Sequence, residues 1–283
     1  MFRLLNKEYL SDSIVRAEIE APAISAKIGP GQFVIIRSHE HGERIPLTVA
    51  DFDREKGSIT VIFQTVGAST RLLSTLEVGE NIIDVVGPLG NKTDLESAKR
   101  VAVIGGGLGC AIAYPQAKYL YNKGAKVDII AGFRSKDLII LEDDMKNVSD
   151  DLLILTDDGS NGKKGLVTDG LRQNVQKGAD YDTVIAIGPP IMMKFVSMLT
   201  KELGIKTIVS MNPIMIDGTG MCGGCRLTVG GETKFACIDG PDFDGHLVDF
   251  DELIRRNSTY RSEEASAAEK VHKCNLERFG GAK

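Results

Sequence analysis

Cysteine is scarce in this chain. Five cysteines among 283 residues are too few for the disulfide framework of a secreted scaffold. Long apolar runs are missing too, since nothing approaches the ~18–20 apolar residues that cross a bilayer. The opening stretch carries Arg3, Lys7 and Glu8 where a secretory signal needs its apolar segment, so the expected location is the cytoplasm. Nor does one charge dominate. With 34 basic and 39 acidic side chains the formal charge is −5, which gives no general electrostatic attraction to nucleic acid or to an anionic membrane. Glycine, at 31 residues, is plentiful, and 42% of the chain is hydrophobic. Fibrous, collagen-like and wholly disordered chains are therefore excluded, and at ~100–200 residues per domain the length suggests two domains or three.

Three compositional regimes follow one another. Up to about residue 98, β-branched stretches such as 13–20, 32–37 and 58–63 alternate with turns at Gly29-Pro30-Gly31, Lys56-Gly57 and Val86-Gly87-Pro88-Leu89-Gly90-Asn91. Many short strands at this spacing predict an antiparallel barrel or sandwich. Over 99–210, apolar strands at 100–104, 126–131, 152–156 and 183–187 alternate with helical stretches, the pattern of βαβ units in a parallel sheet covered on both faces. From 211 the periodicity fails. Gly, Met, Cys and Asp dominate to about residue 245, and a charged helical tail runs to Lys283. That tail reads as a solvated helix or as a partner contact.

Two motifs in the first two regimes are weak by themselves. Gly105-Gly106-Gly107-Leu108-Gly109-Cys110 stands at the first strand-to-helix junction of the parallel region, where glycines permit a sharp turn and let a pyrophosphate approach backbone N–H groups. The spacing departs from the dinucleotide fingerprint. Gly132-Phe133-Arg134-Ser135-Lys136 stands where an acidic residue would close the second strand. Arg134 and Lys136 by themselves favour a 2′-phosphate, hence NADP. In the β-rich part, Arg44-Ile45-Pro46-Leu47-Thr48 and Phe63-Gln64-Thr65-Val66-Gly67-Ala68-Ser69-Thr70 offer a guanidinium, hydroxyls and an amide suited to a flavin and its diphosphate. They equally suit a surface arginine and an ordinary turn.

The cysteine distribution is more specific. Cys222, Cys225 and Cys237 crowd into sixteen residues beside Asp217-Gly218-Thr219-Gly220. The D-x4-C-x2-C-x11-C spacing matches the plant-type C-x4-C-x2-C…C arrangement of a 2Fe-2S cluster with a carboxylate in the first place. A zinc site using the three thiolates with Asp217 or His246 is the alternative. Cys110 fits either packing at a helix start or a place beside nicotinamide; Cys274 reads as a free thiol. His39 and His41, with Glu40 and Glu43, read as an exposed loop in preference to a metal site.

The succession of R-x-P-L-T barrel, glycine turn in a parallel domain and cysteine loop resembles the ferredoxin-NADP reductase superfamily. It is most similar to the branch holding the dihydroorotate dehydrogenase electron-transfer subunit, the sulfide dehydrogenase small subunit and the small subunit of NADH-dependent reduced ferredoxin:NADP oxidoreductase. The resemblance implies a β plus α/β architecture: an antiparallel FAD-binding barrel (1–98), a parallel-sheet nicotinamide nucleotide domain (99–210), and a 2Fe-2S subdomain with tail (211–283). It places Arg44, Pro46, Leu47, Thr48 and Gln64 at the flavin, and Gly67, Ser69 and Thr70 at its diphosphate. Gly105, Gly107, Leu108, Gly109, Cys110, Arg134, Asp157, Gly188 and Pro189 would meet NAD(H), and Asp217, Cys222, Cys225 and Cys237 would hold the cluster. Ile187 stands where many of these reductases carry a cysteine before Gly-Pro.

Aspartate in the first ligand place is similar to the ferredoxin:NADP oxidoreductase and sulfide dehydrogenase small subunits rather than to the four-cysteine dihydroorotate-linked ones. The expected function is therefore the NAD(H) end of an electron-bifurcating transhydrogenase, joined to a large flavin and 4Fe-4S subunit and reaching ferredoxin only through it. A dihydroorotate dehydrogenase or sulfide dehydrogenase subunit is the alternative. A redox or zinc-stabilised nucleotide-binding module lies further off.

Overall fold

The structure, a computed structural model, describes residues 2–40 and 42–266. The first part is built from strands that alternate inward and outward. In β2 (Ile14–Glu20), Val15, Ala17 and Ile19 are buried while Arg16, Glu18 and Glu20 point outward, the period-2 pattern of a strand with one wet face. With β1 (Phe2–Ser11), β3 (Phe33–Arg37), β4 (Ile45–Asp53), β5 (Ser58–Gln64), β6 (Asn81–Ile82) and β7 (Asp84–Leu89) it forms a seven-stranded sheet in the order β6-β1-β2-β5-β4-β3-β7. All its pairings are antiparallel, and the sheet curls into a nearly closed barrel. Helices α1 (Pro22–Ser25) and α2 (Ala68–Thr75) lie in its connections.

The second part obeys a different rule. In β8 (Arg100–Gly106) every residue after Arg100 is buried, as a strand sandwiched between helices requires. It pairs in parallel with β9 (Lys126–Phe133) and β11 (Thr183–Ile187); β10 (Asp151–Thr156) extends the sheet beyond β9, and β12 (Lys206–Ser210) beyond β11. Helices α3 (Gly109–Asn122), α4 (Glu142–Lys146), α5 (Val167–Gln176) and α6 (Pro190–Leu203) follow their strands. The order β10-β9-β8-β11-β12 reverses direction between β8 and β11. At such a switch point a crevice opens outside the carboxyl ends of the strands.

One acid of this sheet is structural. Asp128, in the middle of β9, receives Arg100 through both guanidinium ends at 3.1 and 2.6 Å and the Tyr181 hydroxyl at 2.7 Å. Burial, followed by this bond to Asp128, pushes the Tyr181 hydroxyl well above its usual range.

The last part begins with a hairpin, β13 (Arg226–Val229) and β14 (Glu232–Phe235), turned by Gly230 and Gly231 at φ +61° and +82°. Then β15 (Asp242–Asp244) returns and pairs antiparallel with β12, so the segment after residue 210 is sewn into the nucleotide sheet. Helix α7 (Phe250–Arg256) is capped by the Asp249 carboxylate, which accepts from the Glu252 N–H at 2.9 Å. The cores also merge. Phe33 and Ile35 of the barrel pack in one cluster with Ile104, Val209, Leu227 and Cys237. Ion pairs from Arg16 to Asp144 and from Lys118 to Asp51, each at 2.7 Å, join barrel to sheet. Among the described residues no helix is long and apolar enough to cross a membrane.

Candidate functional site

The glycine turn lies at the switch point. Gly107 has φ +55°, and a Cβ on Gly109 would stand 2.3 Å from the Ile187 carbonyl oxygen, so α3 begins in backbone contact with the end of β11. Gly188 fits as tightly, its Cβ position lying 3.1 Å from Gly106 Cα. These close approaches explain why both strand ends carry glycine.

A cleft of about 1110 Å³ opens there, at the upper end of the ~300–1,000 Å³ of ordinary small-molecule sites. One wall is the barrel. Strand pairing sets Phe33 opposite Thr48 and Val34 opposite Leu47, and Phe33, Pro46, Leu47, Thr48 and Gln64 face the cleft. The other wall carries Gly107, Leu108, Gly109, Gly188 and Pro189, with Arg134 and Asp157 farther along. Eleven of the expected flavin and nucleotide residues thus share one cleft.

Six others do not line it. Gly105 and Cys110 are buried beneath the turn, where a Cβ on Gly105 would meet Cys110 Sγ at 2.6 Å. Cys110 is 1% exposed, and burial pushes its thiol up to about 12. The structure corrects the expectation that Cys110 faces nicotinamide: it is a packing residue under the helix start. Arg44, Gly67, Ser69 and Thr70 sit outside the cleft lining, around the start of α2. There Thr70 Oγ1 accepts from the Gly67 N–H at 3.2 Å, and Ser69 Oγ donates to Glu43 at 2.6 Å, which brings Ser69 beside the neighbour of Arg44. Sequence reasoning missed Gly106, hidden within the glycine run, and Arg172, which also line the cleft. Arg172 had no signal beyond its helix face.

The cysteine loop closes on itself. Cys225 and Cys237 are buried with their sulfurs 3.2 Å apart, whereas Cys222 is exposed. Burial, then the neighbouring Cys225 thiol, pushes Cys237 up to about 12, and the Gly220 N–H opposes that shift. The Gly224 N–H points at Cys222 Sγ from 3.4 Å. Asp217 accepts from the backbone N–H of Thr219 at 2.7 Å and of Cys222 at 2.8 Å; these bonds, Thr219 first, hold its carboxyl below the usual range. Gly218, Gly220 and Gly223, at φ +74°, +84° and +69°, allow the loop this inward turn of N–H groups.

Among the described residues no group of three or more His, Cys, Asp or Glu side chains stands close enough together to hold a metal ion. What fits a cluster is the donor chemistry: a carboxylate and two thiols on one glycine-rich loop, a third thiol brought back by the β13–β14 hairpin to touch Cys225, and an amide aimed at sulfur. His246 is engaged elsewhere, its Nε2 lying 3.1 Å from Thr200 Oγ1, so it is no fourth ligand for a zinc alternative. His39 forms no metal group. His41, Cys274 and the tail beyond 266 lie outside the described residues.

Residues 212–249 match the family model described as the iron-sulfur cluster binding domain of dihydroorotate dehydrogenase B. The chain is 46% identical over 270 residues to a dihydroorotate dehydrogenase B (NAD(+)) electron transfer subunit homolog of Thermotoga maritima, covering 95% of each chain. It is 36% identical over 228 residues to the electron transfer subunit of Clostridium perfringens, covering 80% of this chain and 89% of that one. The chain belongs to the dihydroorotate dehydrogenase B electron transfer subunit family. A solved structure of the NADH-dependent reduced ferredoxin-NADP oxidoreductase, described as an insight into flavin-based electron bifurcation, contains a chain that is 45% identical with a TM-score of 0.90, covering 95% and 97% of the two chains. The ferredoxin reductase of carbazole 1,9a-dioxygenase shares the fold, with a TM-score of 0.61 at 18% identity over 72% of this chain and 64% of that one. Within this family the chain is a flavin and iron-sulfur oxidoreductase subunit of ferredoxin-reductase fold, and its cofactors are FAD, a 2Fe-2S cluster and a nicotinamide nucleotide.

Proposed function

We propose that the chain is the small subunit of an electron-bifurcating NADH-dependent reduced ferredoxin:NADP oxidoreductase. The observation that carries this reading is Asp217, in the first place of the ligand spacing and already turned toward the loop that bears Cys222. The full-length likeness at TM-score 0.90 supports it. We divide the chain into a flavin barrel to residue 98, a nucleotide sheet over 99–210 and a cluster segment from 211.

In this reading a bound flavin would supply hydride and single-electron chemistry, and a bound cluster single-electron chemistry. The residues do the positioning. Pro46, Leu47 and Thr48 form the apolar barrel wall for the isoalloxazine, and Gln64 offers an amide beside it. Arg44, Gly67, Ser69 and Thr70 gather around the start of α2 and take the diphosphate, Ser69 leaving Glu43 to do so. Gly107, Leu108 and Gly109 present the α3 N-terminus to the pyrophosphate of NAD(H), with Gly188 and Pro189 opposite and Arg134 and Asp157 toward the far ribose. Asp217, Cys222, Cys225 and Cys237 would hold the cluster. A carboxylate is a harder donor than a thiolate, so Asp217 makes this cluster electronically distinct from an all-cysteine one.

A large flavin and 4Fe-4S subunit is the proposed partner. Supporting it, Met221 (88% exposed), Ile216, Ile238 and Leu247 leave apolar side chains exposed in the segment carrying the cysteines, surface that a partner could cover. The second reading, a dihydroorotate-linked subunit, is favoured by what the curated relatives are named. Anaerobic purification with cofactor and partner analysis decides. Co-purification of a large flavin and 4Fe-4S subunit supports the transhydrogenase, whereas an FMN barrel enzyme supports the second reading. Iron-free or flavin-free protein rejects both. Reduction of the flavin by NADPH in preference to NADH would overturn the assignment to NAD(H).

A further inference from the structure

We propose that Asn91, closing the string Gly87-Pro88-Leu89-Gly90-Asn91, is a positioning residue that clamps the ligand-bearing segment onto the flavin barrel. In the sequence that string reads only as turn punctuation. In the fold both ends of the expected ligand set rest on it. The Asn91 backbone N–H donates to the Gly240 carbonyl at 2.7 Å, and its Nδ2 donates to the Ile238 carbonyl at 2.9 Å, so one residue ties the turn that follows Cys237 to the barrel at two points. Gly90, at φ +73°, passes so near that a Cβ would lie 2.8 Å from Pro241 Cδ and 3.1 Å from the Gly240 oxygen. At the other end, a Cβ on Gly218, beside Asp217, would stand 3.0 Å from both Leu89 Cδ1 and Ile35 Cγ1.

The same string continues a strand that reaches the cleft wall. Leu89 pairs with Phe33, and Phe33 pairs with Thr48, both of which line the cleft. Two strand pairings therefore connect the wall expected to hold the flavin with the residues beside Asp217 and Cys237. A third tie lies behind them: the Asp242 carboxylate accepts from Thr93 Oγ1 and from Gln116 Nε2. The turn after Cys237 is thus tied to the barrel edge by hydrogen bonds from Asn91, in addition to its own local bonds to Phe235. Asn91 acts on the cluster through Cys237 and touches neither cofactor pocket.

This proposal rests on the reading of Cys237 as a ligand, and its test separates the two. Asn91→Ala removes the side-chain donor, and Asn91→Asp keeps the volume while setting a carboxylate against the Ile238 carbonyl. Because Asn91 is exposed, both variants are expected to fold. In the anaerobic holoprotein, reduction of the flavin band by NADH stays at the wild-type rate, while the following bleaching of the cluster band slows. The reduced-cluster electron paramagnetic resonance spectrum changes its g values, and the amides of Ile238 and Asp239, which donate to the Phe235 carbonyl in the turn that Asn91 holds, exchange with deuterium about fivefold faster, the factor expected for one lost hydrogen bond. Wild-type spectra, cluster reduction and exchange in both variants would overturn the clamp. If the wild-type protein contains no iron, the ligand reading fails instead, and the exchange measurement still decides the clamp: unchanged protection at Ile238 and Asp239 removes it.

Discussion

Replacing Gly109 by alanine tests how the nucleotide turn is built. The new Cβ would stand 2.3 Å from the Ile187 oxygen and 2.7 Å from Gly188 Cα, against ordinary contact from 3.4 Å outward, and both obstacles are backbone. No side chain can rotate away, so α3 must retreat from β11 by roughly 1 Å, an overpacking that costs ~1–3 kcal/mol. In a chain of this size that lowers the melting temperature by roughly 2–10 °C. The α3 N-terminus also moves out of register with the opposite wall of the cleft, and a misplacement of about 1 Å can weaken a bound geometry by up to ~100-fold. Gly107 provides the control. Its φ is +55° with nothing within 4 Å, so Gly107→Ala meets only the left-handed backbone cost of ~1–2 kcal/mol. Thermal unfolding together with NADH-driven flavin reduction reads both terms. Gly109→Ala is expected to lose stability and raise the KM for NADH, and Gly107→Ala, with no packing clash, to lose stability by the backbone cost alone. A Gly109→Ala protein with unchanged melting temperature and KM would refute the packing account.

Three further changes probe the polar interior and the loop. Burial raises the Asp242 carboxyl above its ordinary range, and its Oδ1 is buried without a partner; the native state therefore binds a proton more tightly than the unfolded one, and stability falls as pH rises from the ordinary carboxylate value through the raised one. Asp242→Asn, which still accepts from Thr93 and Gln116, should melt higher at neutral pH and lose that dependence; an unchanged pH profile of melting would contradict it. Tyr181→Phe deprives Asp128 of one of its donors and Asn174 of its 3.0 Å contact with the Tyr181 hydroxyl while Arg100 remains, so denaturant unfolding should show a loss of ~1–2 kcal/mol; no loss would mean that Arg100 alone satisfies Asp128. Asp217→Ala removes a donor and two backbone bonds, and iron and acid-labile sulfide per chain should fall with a ~10–100-fold loss of cluster affinity, whereas Asp217→Cys should keep iron and alter the reduced spectrum. Full iron content in the alanine variant would exclude Asp217 as a ligand.

What the sequence makes legible is what has a local signature. The alternation in β2 and the unbroken apolar run of β8 each announce which faces are covered, because side-chain direction follows backbone period. The glycine turn and the spacing from Asp217 to Cys237 are legible for the same reason, since a backbone turn and a ligand loop constrain neighbours in the chain. Cys110 shows the limit: its place directly after the glycines allows either packing at the helix start or a thiol facing the cleft, and the local string does not choose; in the fold its sulfur lies against Gly105, where Gly109 packs α3 on Ile187. Asn91 shows a deeper one. Its partners lie 147 and 149 residues away and are backbone carbonyls, which every residue possesses, so no residue type near 238 or 240 could disclose them. Contacts of this class are set by topology: β7 must lie beside β3 before Leu89 and Asn91 can reach the loop, and β15 must return to β12 before Ile238 and Gly240 can meet them. The turns and spacings that gather the candidate groups are therefore legible along the chain, and the contacts that fix their mutual distance become visible only in the fold.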